Sequence, residues 1–302
     1  MSLSRHSALG ALAFFGMSWA LTVPLTKIAV STGHPVIGLI FWQLLIGAVI
    51  TRIFLWLRKR SLRLDRAAIR HYLVIALLGT ILPNSFSYLA AAQLPAGIMA
   101  ITIATVPMFA LLVSLALSLE RLAIARLAGV LFGATAVAIL VGPEASLPEP
   151  EKAAFVLIAL VAPLCYGFEG NYVALWSPDR IDPISTICGA SIFGTIIAGT
   201  AVWLGNGWVP MPGPWAGAEQ ALVASAFIHA FVYTGYIWLV GMTSPVFSSQ
   251  IAYVVTLGGV FLSALLLGER YSSWVYLALA LMLIGLFLVQ PRQRAGMDSP
   301  PF

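Results

Sequence analysis

Apolar residues fall along this chain in ten long runs, separated by short polar interruptions. A helix rises about 1.5 Å per residue, so about 20 mostly apolar residues cross the hydrocarbon core of a bilayer. Each run therefore predicts one membrane span. The runs are Ala8–Val30, Pro35–Leu57, Ala67–Ala92, Pro95–Leu117, Leu122–Val141, Lys152–Trp176, Pro183–Gly205, Gly217–Gly241, Pro245–Leu267 and Tyr271–Val289. The interruptions carry breakers such as Gly33-His34-Pro35, Leu94-Pro95, Pro148-Glu149-Pro150 and the stretch from Pro210 to Pro214. None is long enough for a soluble catalytic domain. The predicted fold class is an all-α integral membrane protein of ten transmembrane helices. Ser18-Trp19-Ala20 in the first run loosely resembles a leader cleavage site. The run continues to Val30, however, and is read as a span.

Composition narrows the alternatives. The 302 residues are 60% hydrophobic and 9% charged, against about 25% charged in soluble domains. A soluble enzyme, a nucleic-acid-binding domain and a disordered scaffold are excluded, and no nucleic-acid partner is expected. The net charge of +5 matters less than where the cations lie. With a cytoplasmic N-terminus, 13 of the 16 basic residues fall on the inner side. They are Arg5, Arg121, Arg126, Arg180, Arg292, Arg294 and the cluster Arg52, Arg58, Lys59, Arg60, Arg63, Arg66 and Arg70. The positive-inside rule then predicts both termini in the cytoplasm, in a cell inner membrane. The same cluster can meet anionic lipid headgroups. Cys165 and Cys188 sit within apolar runs and read as small packing residues.

The chain also repeats itself. Leu94 to Arg121 and Ser244 to Arg270 align on Glu120-Arg121 and Glu269-Arg270, 149 positions apart. Pro95 and Pro245 then fall within one position of each other, and Pro35 and Pro183 open spans two and seven. Each half has five spans, so the second enters the membrane inverted. The expected organisation is a first repeat over 1–149, an inverted second repeat over 150–290, and a short tail at 291–302. Inverted repeats are a common carrier architecture, with the substrate site between the halves near the midplane.

These features resemble the drug/metabolite transporter superfamily, specifically its EamA-type ten-helix members. The marks are two five-helix repeats with helices ending Leu117-Ser118-Leu119-Glu120-Arg121 and Leu267-Gly268-Glu269-Arg270, followed by helices containing Gly129, Gly133 and Gly285. Ser118 stands where Gly is usual. The resemblance implies a basket of helices around a central cavity, with the fifth and tenth helices peripheral. It also implies a secondary or facilitative carrier, of the kind that exports amino acids or related metabolites. Some relatives import vitamins or carry nucleotide-linked compounds, and several are proton antiporters.

Polar groups inside a bilayer face protein or water-filled space, which makes them candidate site residues. Glu169 is the acid within a span, seven residues before Trp176. Tyr166, Glu169 and Val173 share one helical face, and His229, Tyr233 and Tyr236 share another. Asn84 and Tyr88 lie one turn apart after Pro83, which frees a carbonyl in mid-membrane. Trp19, Asn84, Tyr88, Tyr166, His229, Tyr233 and Tyr253 form the expected substrate surface, with Glu169 and His229 as candidate proton carriers. Packing is the competing role for each, and Arg126 or Arg180 the competing partner for Glu169. Lys27 is expected to snorkel at the end of span one. Gly129-x-x-x-Gly133 is a close-packing face that would serve a weak homodimer if the chain is not a monomer.

No Walker A loop, metal-spaced His/Cys/Asp cluster, Ser-His-Asp set or Gly-x-Gly-x-x-Gly occurs, so neither an enzyme nor a cofactor is expected. The expected partners are a small-molecule substrate, membrane lipids and protons. Few formal charges in the spans suit a zwitterion or weakly charged, partly apolar compound. The rivals are an importer of a vitamin or nucleoside-like compound, and a membrane-embedded enzyme or sensor.

Overall fold

The structure is a computed structural model that describes residues 4–121, 123–142, 149–178, 181–211, 215–243, 247 and 250–290. Among the described residues all regular structure is helical. Spans one and two are α1 (Arg5–Val30) and α2 (Val36–Leu57). Span three joins α3 (Arg66–Ala76), a π-helical turn (Leu77–Ile81) and α4 (Leu82–Gln93). Span four joins α5 (Ala96–Ile103) and α6 (Val106–Ala116), and α7 (Ile124–Val141) is span five. Span six is a 3₁₀ turn (Pro150–Ala153), α8 (Ala154–Ala159) and α9 (Val161–Trp176). Spans seven to ten are α10 (Pro183–Gly205), α11 (Gly217–Met242), α12 (Ile251–Leu267) and α13 (Ser273–Val289). The expected starts of spans five and nine at Leu122 and Pro245, the tail at 291–302 and Arg180 lie outside the described residues.

Helix starts are set by capping side chains that satisfy otherwise orphaned N–H groups. Ser4 accepts from the Ser7 N–H, Asp65 from Ala67 and Ala68, and Asp182 from Ile184 and Ser185. Asn206 and Gly268 stop α10 and α12 in the left-handed region, with φ of 51° and 68°.

Three spans are broken, and proline explains each break. A proline has no N–H for the carbonyl four residues before it, and its ring crowds that carbonyl. Pro107 and Pro163 act on Ile103 and Ala159, the residues where α5 and α8 end. Pro83 acts on Gly79, at the centre of the π turn Leu77–Ile81. In span four, threonine hydroxyls occupy carbonyls beside the break. Thr102 Oγ1 donates to the Met99 carbonyl at 2.9 Å, and Thr105 Oγ1 to that of Thr102 at 2.7 Å.

Two larger apolar cores form among the described residues, beside a small third at Ile75, Ala76 and Ala190. One gathers Ile98, Met108, Leu140, Val156, Val260 and Met282 from spans four, five, six, nine and ten. The other gathers Val30, Leu44, Tyr88, Ala198 and Leu222 from spans one, two, three, seven and eight. Gly129 and Gly133 do not present a face to a second copy. An added Cβ at Gly129 would lie 2.8 Å from the Gly285 carbonyl, and Gly133 is covered by Met108. The small-residue face is consumed by α7 packing on α13 of the same chain.

The two Glu-Arg pairs are anchored differently from each other. Glu269 caps the start of span four, accepting from the Ala96 N–H at 2.7 Å and the Gly97 N–H at 3.1 Å. Tyr271 donates its hydroxyl to the same carboxylate at 2.5 Å. Glu120 instead pairs with Arg126, whose Nε donates to the Val289 carbonyl at 3.1 Å. Arg126 is therefore committed elsewhere and is no partner for Glu169. Lys27 does not simply snorkel: its Nζ donates to the Ala91 and Ala92 carbonyls at 2.7 and 3.2 Å, closing the end of α4. Removing the Glu269 cap should cost about 0.5–2 kcal/mol. Glu269→Ala should accordingly lower the melting temperature in detergent, and Glu269→Gln should lower it less. Equal melting of Glu269→Ala and wild type would show that the cap contributes nothing.

Candidate substrate site

The site is best built outward from α11. Phe227, Phe231 and Trp238 are exposed and lie within about 40° of each other around the helix axis. That stripe faces lipid. His229 is also exposed, but it lies about 160–180° from these three residues, on the opposite face. It therefore faces internal space. Its ring stacks on Tyr233, with centroids 6.4 Å apart and planes 24° apart. Trp19 of α1 meets His229 edge-on at 5.8 Å and Tyr236 at 6.1 Å. Spans one and eight, one from each half, thus share an aromatic wall that carries an imidazole.

Span six supplies the acid. Glu169 is half-buried, and among the described residues its carboxyl makes neither a hydrogen bond nor an ion pair. It stands close enough to Tyr166 and Tyr233 for electrostatic interaction, and Tyr88 is similarly close to Tyr166. The carboxyl lies directly over Gly79, at the centre of the π turn. An added Cβ there would meet Oε1 in a clash, and would lie 2.9 Å from Cδ. The proline-widened turn and the absent side chain at 79 together make room for the acid. π turns of this kind recur at functional sites.

Span three adds a polar cluster through a residue that sequence reasoning missed. Gln43 Oε1 accepts from Asn84 Nδ2 at 2.8 Å and from the Tyr88 hydroxyl at 2.6 Å. The available signal was an amide within the apolar stretch Val36–Ile50. A second missed amide, Asn171, ties span six to span four. It accepts from Ser114 at 2.6 Å and donates to the Ala110 carbonyl at 3.0 Å.

Trp19, His229, Tyr233, Glu169, Tyr166 and Tyr88 are therefore brought together, and Asn84 joins them through Gln43. Tyr253 is the exception. Among the described residues its buried hydroxyl has no hydrogen-bond partner and its ring makes no contact with the Trp19–His229 wall. It packs on α12, which contacts span one at Gly16 through Ile251 and Val254.

Comparison with known proteins bears on this arrangement. The profile of the EamA-like transporter family matches residues 7–142 and 153–290, nearly the whole chain in two halves. The chain belongs to the EamA-like transporter family. It is thus a membrane transporter of small molecules, and its helices form the ten-helix, two-repeat architecture of that family. A search of curated proteins gave no match. Solved structures did match: 18 chains resemble this fold. One, titled "Crystal structure of protein", aligns at a TM-score of 0.63 and 20% identity, covering 95% of this chain and 98% of its own. That similarity speaks for the fold.

Within this EamA-like fold, the cluster around α11 brings together the Glu169 carboxyl, which has no partner among the described residues, the His229 imidazole and several hydroxyls on an aromatic frame. Rings can cover an apolar substrate portion, while hydroxyls and amides orient polar ends. A carboxyl and an imidazole can each take and release a proton.

Proposed function

We propose that this transporter carries partly apolar zwitterions, amino acids or related compounds, outward across the inner membrane by alternating access. In this reading the two five-helix halves rock about the central site. Protons move in the opposite direction, carried by Glu169 with His229 beside it, and both termini are cytoplasmic. The observation that carries the reading is the Glu169 carboxyl. It has no partner among the described residues, it sits over Gly79 of span three, and it lies near tyrosines of spans six and eight. An ionisable group within a membrane span and without a structural partner is costly, so its retention favours a coupling or substrate-binding role. The chain thereby moves its substrate rather than transforming it. Turnover without flux would indicate the enzyme or sensor alternative.

The test is flux in proteoliposomes with an imposed pH gradient. Wild-type amino-acid flux should rise with the gradient, and Glu169→Gln should lose at least about tenfold of that drive, equivalent to about 1.4 kcal/mol in the barrier. Gradient-driven flux unchanged in both Glu169→Gln and His229→Ala would sink the coupling proposal. The stacked His229–Tyr233 pair also suits a planar ring. That observation favours an importer of a vitamin or nucleoside-like compound as the second reading, which nucleoside competition in the same vesicles separates from the first.

A further inference from the structure

A second polar site lies away from the Glu169–His229 cluster, where the loop after α2 meets the start of α10. A cleft of about 300 Å³ is lined by Lys59, Arg60, Ser61, Arg63, Tyr72, Ile181, Asp182 and Ser185. Among the described lining residues three are cations and one is a carboxylate. That carboxylate is already engaged. Asp182 accepts from the Ile184 and Ser185 N–H groups at 3.1 and 3.2 Å, from the Ser185 hydroxyl at 2.7 Å and from Arg60 at 3.5 Å. Burial works to raise its pKa, but the Ser185 bonds and Arg60 outweigh this and hold the carboxyl below the usual carboxylate range. Arg63 pairs with Asp65 beside the cleft. Lys59 makes no ion pair among the described residues, and its backbone turns through a left-handed φ of 53° that ends α2.

The second observation concerns Tyr72. Its side chain is 0% exposed, its hydroxyl has no hydrogen-bond partner among the described residues, and the residue belongs to the cleft wall. The ring is fixed from behind by Gly189 and stacks on Phe193 at 6.2 Å. The hydroxyl end lies within electrostatic reach of Asp182, Asp65 and Arg63. A buried hydroxyl left unpaired costs about 1–3 kcal/mol, so a donor held in the wall of a cationic cleft suits a ligand that brings an acceptor. The apolar residues around the loop indicate where that acceptor comes from. Trp56, Leu57 and Leu64 are 69%, 66% and 61% exposed. Tryptophan at a helix end suits the bilayer interface, and a ligand with a phosphate head and an acyl tail would meet both surfaces.

We propose that this cleft binds an anionic phosphate group, that of an acidic phospholipid in the adjoining leaflet. The Tyr72 hydroxyl, Lys59 and Arg60 would donate to the phosphate oxygens, with Ser61 at the edge. Because the α2–α3 loop belongs to the first half and α10 to the second, an occupied cleft bridges the halves at this end. It would favour the state in which that end is closed. This inference rests on no substrate assignment and stands or fails independently of the central site.

The test uses purified, delipidated full-length protein and short-chain phosphatidylglycerol, with short-chain phosphatidylcholine and inorganic phosphate as parallel probes. Phosphatidylglycerol should bind saturably. A Lys59→Gln/Arg60→Gln variant should bind it at least about tenfold more weakly, as expected on losing charge-assisted hydrogen bonds. Tyr72→Phe should weaken it several-fold without lowering the melting temperature. Arg66→Gln/Arg70→Gln removes the same charge outside the cleft and should bind like wild type. Inorganic phosphate binding as tightly as the lipid, with the same variant dependence, would keep the anion site and assign it to a soluble phosphate. Equal binding of phosphatidylcholine, or equal losses in the two double variants, would overturn the proposal.

Discussion

Gly79→Ala should leave a protein that folds and melts normally but transports at about one hundredth of the wild-type rate. The atoms nearest the added methyl group all belong to the end of the Glu169 side chain, with Cδ at 2.9 Å and Oε2 at 3.1 Å from its position. A flexible side-chain end yields at little energetic cost, and alanine is a better helix former than glycine by about 0.8–1.0 kcal/mol. The fold therefore has little reason to suffer. The carboxyl, however, must leave the space over the π turn, and a displacement of about 1 Å at a working group can cost about 10²-fold. Gly10→Ala is the natural control, since nothing lies within 4 Å of its added Cβ. Flux comparable to wild type in Gly79→Ala would mean that the position of Glu169 over this turn is irrelevant to transport.

The largest stability effect should come from the α7–α13 crossing. Gly129→Leu should lower stability by about 1–3 kcal/mol, the usual range for overpacking, and more if the two helices cannot separate. Here the obstacles are not flexible ends. The Cβ position at 129 lies 2.8 Å from the Gly285 carbonyl and 2.9 Å from Leu288 Cβ. The reciprocal position at 285 lies 2.7 Å from the Gly129 carbonyl and 3.1 Å from the Gly133 nitrogen. Two backbones in mutual contact leave no rotamer as an escape. Thermal melting in detergent and the yield of monodisperse protein read the effect. A variant that melts like wild type would show that this crossing is not tightly packed.

Much of the fold was legible because lipid imposes a simple constraint. Runs such as Val36–Leu57 and Pro183–Gly205 had to be long, apolar and helical, since a bilayer supplies no hydrogen-bond partners to the backbone. The Glu-Arg pairs exposed the repeat for a related reason: charges at helix ends are few and costly to misplace. The breaks were less legible. Pro107 and Pro163 could be read as prolines, but hydropathy is blind to whether a proline splits a helix or opens a π turn, as Pro83 does. Of the candidate site, Trp19, His229, Tyr233 and Glu169 were visible because each is polar or amphipathic where apolar residues dominate. Gln43 and Asn171 carried the same signal more faintly, and their importance lies in distant partners that only packing reveals. Tyr253 carried the signal without joining the aromatic wall. Lys27 shows the converse: its position at a span end matched snorkelling, but two carbonyls of span three claim its ammonium group.

The most direct test of the account is substrate counterflow in proteoliposomes loaded with unlabelled amino acid and diluted into labelled amino acid. A carrier with one alternately exposed central site should give a transient internal overshoot of label, and Trp19→Ala should abolish it. A steady leak without overshoot, or an overshoot of equal size in Trp19→Ala, would contradict it.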